Sequence, residues 1–321
     1  QGQGRFAGML NKILGTADVI VQVLDARDPL ACRSAYIEQY INSVRPELRM
    51  VFLLNKIDLI PKDARAQWLT HLSAEYPTCA FKAATQAGLR GNKVGRCAAE
   101  VDTATNAQLR GGECVGADEL LRVLKSIAHG GSVATYGGKA RMTVGIVGYP
   151  NVGKSSVINS LLRQKAAPTG DRPGITKCLQ TVQLDKGITL LDSPGVVIDP
   201  SASTVDLALR HCVAVDKVDD LEGVAREIVR RCGAPSVRAA FSLPEELAGG
   251  RADTAQTLLT AVAQKRGKLL RGGEPDVEAG ARAILQEWNS GALRHHTLPP
   301  RQAAVVGDFE VVDGFAPAFK L

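Results

Sequence analysis

Gly148-Tyr149-Pro150-Asn151-Val152-Gly153-Lys154-Ser155 follows the pattern G-x-x-x-x-G-K-[ST], and its flanks decide how it is read. Met142 to Val147, just before it, is an apolar run of strand length. Val157, Ile158, Leu161 and Leu162, just after it, recur at helical spacing. A strand, a glycine-rich turn and a helix start are the setting of a phosphate-binding loop. Backbone N–H groups between Gly148 and Ser155 converge there on an anion, helped by the positive end of the helix dipole. In that reading Lys154 reaches the β- and γ-phosphates, the Ser155 hydroxyl ligates Mg²⁺, and Ser156 ends the nucleotide-binding stretch that begins at Gly148. The plain alternative is a glycine turn at a strand end with a surface lysine.

Phosphates carry no base identity, so the base must be read elsewhere. Val51-Phe52-Leu53-Leu54 has the composition of a strand buried on both faces of a parallel sheet, and it ends in Asn55-Lys56-Ile57-Asp58. The Asp58 carboxylate can accept from the N1–H and exocyclic amine of guanine, whereas adenine would leave it unpaired. Lys56 can lie along the base plane, and Asn55 can tie this loop to the phosphate loop. Phe81-Lys82-Ala83-Ala84-Thr85 follows another strand-like segment, and Ala83 or Ala84 could present a backbone N–H to the guanine carbonyl.

Two motifs follow the phosphate loop. Ile188 to Leu191 is an apolar strand ending in Asp192-Ser193-Pro194-Gly195, a D-x-x-G in which Asp192 would hold Mg²⁺ through water and the Gly195 amide would sense the γ-phosphate. Between them, Arg172-Pro173-Gly174-Ile175-Thr176-Lys177 places Thr176 where a switch threonine would close over Mg²⁺; it could equally be a turn residue in a Pro-Gly loop. Lys154, Thr176 and Gly195 are thus the expected catalytic set.

Together these segments resemble a known family. Asp25-Ala26-Arg27-Asp28-Pro29-Leu30, Asn55 to Lys62, Cys114 to Leu121, Gly148 to Ser156, Pro173 to Lys177 and Leu190 to Val197 are similar to the circularly permuted GTPases of ribosome assembly, and among them to the nucleostemin-like nucleolar proteins. Arg266-Gly267-Lys268, Gly272 to Asp276 and Trp288-Asn289-Ser290-Gly291 resemble that family's C-terminal half. The chain departs from the pattern at Ala83-Ala84-Thr85, where the family commonly has Ala-Ser-Thr, and between Ser236 and Gly250, which is shortened.

The resemblance implies an α/β fold: a circularly permuted Ras-like P-loop GTPase domain over residues 1–200, with a mostly parallel sheet and helices on both faces. The base-reading motifs precede the phosphate loop and the switch motifs follow it. A small helical C-terminal domain over 201–300 and a tail over 301–321 complete the chain. GTP or GDP and Mg²⁺ are the implied ligands. Val196 occupies the position where many Ras-like GTPases orient water with glutamine, so slow hydrolysis is expected. Asn151 matches the asparagine that helps hold K⁺ in cation-dependent relatives, or it merely shapes the loop.

Composition bounds the rest. The 321 residues, 45% hydrophobic, suffice for two domains, with a break near Val197 to Ser203. Beyond it the pattern is helical over Leu221 to Cys232, Leu258 to Arg266 and Val277 to Trp288. No run approaches a membrane span. The seven cysteines, none in a C-x-x-C pair, are expected to be reduced thiols and argue against a zinc site. Gln1 in place of methionine is taken to mean that an N-terminal stretch is missing, the region where the resembled family carries a basic arm and nuclear targeting signals.

The net charge of +6 suits a polyanionic partner, yet residues 201–321 hold 15 basic against 16 acidic side chains. Lys265, Arg266, Lys268 and Arg271 could touch phosphates or simply solvate a helix end. Gln86 to Gly116 reads as a long Gly-rich connection, either a flexible insertion or an RNA contact. Aromatic residues make up 4% of the chain, so recognition by shape and phosphate is favoured over base stacking. Asp25-Ala26-Arg27 reads as a strand-end turn with a local Asp to Arg contact.

The expected partners are the pre-60S particle, through its rRNA and ribosomal proteins, and other assembly factors, with no DNA and no membrane. The expected place is the nucleolus, with a mitochondrial large-subunit factor or a nucleotide-gated scaffold as alternatives.

Overall fold

The apolar runs become the centre of a sheet. In a computed structural model that describes residues 2–84, 101, 104–129, 135–136, 139–165, 180–185, 187–193, 203–210, 212–244 and 255–300, the strands are β1 (Val19–Asp25), β2 (Arg49–Asn55), β3 (Thr78–Ala80), a short antiparallel pair β4 (Thr135–Tyr136) and β5 (Lys139–Ala140), then β6 (Met142–Val147), β7 (Gln180–Asp185) and β8 (Ile188–Asp192). Six of them form one sheet in the order β3-β2-β1-β6-β8-β7. All its pairings are parallel except β7 with β8.

Burial explains the runs. Every residue of β1 is buried, as are all of β2 after Arg49, whereas the edge strand β7 is largely open to solvent. The helices of this part are α1 (Gly2–Thr16), α2 (Ala35–Val44), α3 (Lys62–Ser73), α4 (Asn106–Arg110), α5 (Ala117–His129) and α6 (Lys154–Lys165). The chain winds from β1 outward to β3, and from β6 outward the other way. Because parallel crossovers are right-handed, that reversal puts α2 and α3 on one face and α6 on the other.

Past the sheet come α7 (Thr204–Leu209), α8 (Leu221–Cys232), α9 (Ala234–Phe241), α10 (Ala255–Lys265) and α11 (Val277–Ser290). Local chemistry sets their ends. Asp220 accepts from Gly223 N at 2.7 Å and Asp276 from Ala279 N at 2.9 Å, while Gly233 and Gly291 stop α8 and α11. These helices have an apolar core of their own, built around Val224, Ile228, Leu258, Val262, Ile284 and Trp288, separate from the core beneath the sheet. Among the described residues no helix is long and apolar enough to cross a membrane.

Two expectations need correction. The end of the Gln86 to Gly116 connection is not loop: Thr105 accepts from Gln108 N and Gln108 Oε1 accepts from Thr105 N, a reciprocal cap that starts α4. Residues 86–100, 102 and 103 of it lie outside the described residues, Arg90, Lys93 and Arg96 among them. Cys114 is disulfide-bonded rather than a reduced thiol, while Cys32, Cys79, Cys212 and Cys232 are free; Cys97 and Cys178 lie outside the described residues.

Gly280 lets α10 and α11 approach closely: a Cβ there would overlap the Leu259 carbonyl and come within 3.3 Å of Ala263. Gly280→Ala should therefore destabilise the helical part by about 1–3 kcal/mol through overpacking. Urea denaturation followed by Trp288 emission reads this directly, and an unchanged midpoint would mean that the two helices separate freely.

Candidate nucleotide site

β1 leads away in one direction and β6 in the other, so the loops leaving their C-terminal ends diverge and open a crevice. Asp25 and Asn55 face each other in register at the ends of β1 and β2. Gly148 opens the loop after β6, and Asp192 ends β8, where its neighbour in register is Ile146. All the candidate loops therefore share one rim, whatever their order in the chain.

Asn55 joins three of them. Its buried side chain donates from Nδ2 to Val152 O at 2.8 Å and accepts at Oδ1 from Ala83 N at 3.2 Å. Gly153 has φ of 101°, and any Cβ at that position would overlap the Asn55 amide. The glycine is thus required both by its backbone conformation and by the side chain it faces.

Lys56, at φ 64°, donates from Nζ to Asn151 O at 2.7 Å and to Asp25 Oδ2 at 2.8 Å. Asn151 is exposed and has φ of 59°. Asp58 is open to solvent on its outer side, yet partial desolvation raises its carboxyl above the usual range, with Lys82 and Lys56 pulling the other way.

The phosphate end is drier. Tyr149 and Val152 are buried, Pro150 and Gly153 half-buried, and Ser156 exposed. Lys154 is only 5% exposed and donates to Tyr149 O at 2.7 Å. Burial lowers its ammonium to about 8, against the opposing pull of Asp192. Ser155 Oγ donates to Asp192 Oδ2 at 3.2 Å, and Ser193 Oγ donates to Ile146 O at 2.7 Å. Arg210, just past α7, stacks its guanidinium over the Tyr149 ring at 5.7 Å, so the helical part reaches the loop directly.

The comparisons with known proteins agree with this layout. The family model described as "50S ribosome-binding GTPase" matches residues 143–231. The chain is 38% identical to the guanine nucleotide-binding protein-like 3 homolog of Caenorhabditis elegans over 98% of its own length and 54% of that protein. It is 41% identical to the guanine nucleotide-binding protein-like 3-like protein of Bos taurus over 90% of its length and 48% of that protein. The chain spans about half the length of these curated relatives. Among solved structures, GNP-bound YlqF of T. maritima covers 91% of the chain and 97% of its own at 21% identity with a TM-score of 0.55, and the GDP-bound form covers 90% and 98% at 22% with 0.57. The chain belongs to the nucleostemin-like, guanine nucleotide-binding protein-like 3 family. Its fold is the circularly permuted GTPase fold.

Against that fold, Asn55, Lys56, Asp58, Ala83, Ala84, Gly148 to Ser156 and Asp192 lie on the one rim, while Thr176, Gly195 and Val196 lie outside the described residues. The N–H of Ala83 donates to Asn55 Oδ1 and that of Ala84 to Ser160 Oγ at 2.9 Å, so a base carbonyl would take the place of a side-chain oxygen at either one. Thr85, the next donor, lies outside the described residues.

Two supporting residues of this nucleostemin-like chain escape a motif reading. Ser160, which donates to Ser156 O at 2.6 Å, ties the Ala84 segment to α6; its spacing of four from Ser156 is the signal. Lys82 is buried, and its Nζ donates to Gly111 O at 2.8 Å and Glu113 O at 2.6 Å, anchoring the loop after α4 beneath Asp58. A lysine closing an apolar strand is easily taken for a surface residue.

The donor set fits the expected ligands. Ser155 and Asp192 offer two hard oxygens side by side, suited to Mg²⁺, which takes most of its shell from phosphates and water. A dry ammonium at Lys154 and the start of α6 suit an anion.

The depressed ammonium has a testable consequence. Between about 8 and the ordinary 10.5 the unfolded chain holds a proton at Lys154 that the folded chain has released, so this group makes stability rise with pH across that window. The nucleotide-free Lys154→Met variant lacks the term. Its stability relative to wild type should fall by about 3 kcal/mol from pH 8 to 10.5, as read by urea denaturation at each pH. A difference that does not change with pH would show that the amine is not desolvated.

Proposed function

We propose that this chain binds Mg²⁺-GTP in the β1/β6 crevice, hydrolyses it slowly, and uses the cycle to join and leave assembling large (60S) ribosomal subunits. The observation that carries the reading is the junction of Asn55 and Lys56 with the backbone of Asn151 and Val152, which holds a base-reading segment against a phosphate-binding loop. Residues 1–200 form the G domain in this proposal, 201–300 its effector lobe and 301–321 a tail.

The contacts described above support roles for Asp58, Lys56, Lys154, Ser155 and Asp192, and the sequence motifs support those of Thr176, Gly195 and Val196. Asp58 would accept from guanine N1–H and the exocyclic amine, while Lys56, held by two partners, would lie along the base. Lys154 would exchange the Tyr149 carbonyl for the β- and γ-phosphates, regaining full charge against them. Ser155 and Asp192 would hold Mg²⁺, joined by Thr176, and the Gly195 amide would meet the γ-phosphate. Mg²⁺ supplies charge compensation for the transferring phosphoryl group. Val196 cannot orient water, so positioning would come from elsewhere, and K⁺ beside Asn151 would offset transition-state charge.

Ordering of the switch segments by GTP would fix the lobe, and hydrolysis would release it. The description of the matching family model as ribosome-binding supports the ribosomal partner, and a relative from Oryza sativa named nuclear/nucleolar GTPase 2 supports the nucleolus.

Three measurements test this. Asp58→Asn should move preference from guanosine to xanthosine nucleotides by at least about tenfold in a competition assay, since the amide donates where the carboxylate accepted. A variant that still prefers GTP removes the base assignment. Turnover should be several-fold faster in K⁺ than in Na⁺ buffer, and equal rates remove the cation site. The chain loaded with a non-hydrolysable GTP analogue should copurify with large-subunit precursor RNA; if it recovers none, the ribosomal reading fails.

A further inference from the structure

The Asp25-Ala26-Arg27 turn is more than a local contact. Arg27 does grip Asp25 through two of its three side-chain nitrogens, Nε to Oδ1 at 3.0 Å and Nη2 to Oδ2 at 2.7 Å. The same Oδ2 also takes Lys56 Nζ, which in turn holds Asn151 O of the phosphate loop. On its other side Arg27 donates from Nη1 to Trp288 O at 3.4 Å, in the last turn of α11, where the same oxygen also accepts from Gly291 N at 3.1 Å. Its own carbonyl accepts from Thr297 N at 2.8 Å and Thr297 Oγ1 at 3.2 Å. Thr297 O accepts from Trp68 Nε1 at 2.8 Å, so the segment after α11 straps back onto the sheet-bearing part.

From these contacts we propose that Asp25 and Arg27 are positioning residues that make guanine-nucleotide affinity depend on the seating of the helical lobe. The proposal rests on the nucleotide reading above and adds a route separate from the switches. Asp25 is buried and shared by two cations. Burial pushes its carboxyl up, and Lys56 and Arg27 together bring it far below the usual range. A buried carboxylate with two cations does not tolerate the loss of either. If the lobe shifts, Arg27 must follow Trp288 and Thr297 or release them. If it follows, Asp25 loses one partner, and Lys56 is drawn from Asn151. If nucleotide clamps the phosphate loop and Lys56, the chain of contacts runs the other way and steadies the end of α11. Reciprocity of this kind is a requirement of linkage.

Lying between two sites is not coupling, and a thermodynamic cycle decides the matter. We would measure fluorescent GDP affinity and amide hydrogen exchange of residues 288–297, with and without GDP, in wild type, Arg27→Gln, Thr297→Val and the double variant. GDP should slow exchange over 288–297 in wild type and fail to do so in Arg27→Gln. Arg27→Gln should weaken GDP by about fivefold or more, within the usual range of site coupling. Thr297→Val, which touches no nucleotide loop, should weaken it by about threefold, the worth of part of one hydrogen bond. The double variant should be no weaker than Arg27→Gln alone.

Additive losses, or GDP binding that leaves 288–297 exchange unchanged, overturn the relay while the nucleotide reading stands. A wild-type chain that binds no GDP overturns both. Should Arg27→Gln not fold, Thr297→Val alone decides: unchanged GDP affinity overturns the relay.

Discussion

The Asn55 side chain is the constraint on which the site depends. One amide, buried between the end of β2 and the loop after β6, spends its donor on Val152 O and its acceptor on Ala83 N. Three loops that the chain reaches at widely separated points are thereby fixed to one another. A buried amide that loses one partner incurs about 1–3 kcal/mol of desolvation, so the placement of each loop favours that of the other two. Gly153 supplies the room, and the parallel sheet supplies the register that brings Asn55 beside Asp25. Nothing in this arrangement refers to sequence order. Strands in a sheet recognise neighbours by hydrogen bonding, which is why moving the base-reading half ahead of the phosphate loop leaves the crevice intact.

Much of this was legible. Val19 to Leu24, Val51 to Leu54, Met142 to Val147 and Ile188 to Leu191 read as strands because central parallel strands are apolar on both faces. The helices over Leu221 to Cys232 and Val277 to Trp288 read from apolar periodicity alone, and the capping Asp220 and Asp276 and closing Gly233 and Gly291 set their ends in the structure. The short α4 did not, since five residues carry no period and only the Thr105 and Gln108 pair marks it. Donors of the backbone leave no side-chain trace, so the engagement of Ala83 and Ala84 N–H was invisible. The reach of Arg27 to Trp288 and Thr297 was equally invisible, because it joins residues more than 260 positions apart. Pattern reading captures what lies within one element, and such contacts exist only after two cores have met.

The two cores leave the junction between them to be made largely by side chains at their margins. Each part buries its own apolar side chains, and polar groups make several of the contacts between them. Arg27 reaches Trp288 O at 3.4 Å, Arg231 stands 3.9 Å from Asp28, and Arg210 lies over Tyr149. A cleft of about 120 Å³ remains between them, lined by Asp28, Arg231 and His295 among others. Burial raises the Asp28 carboxyl, and Arg231 at that distance offsets it only in part. Charges this far apart and partly wet contribute little each. The ionic part of this junction is therefore weak, and the hydrogen bonds of Thr297 to Arg27 and of Trp68 to Thr297 carry more of it. A polar junction of this kind is one that a ligand with different affinities for two arrangements would be able to bias under the proposed function, where a tightly packed apolar one would resist it.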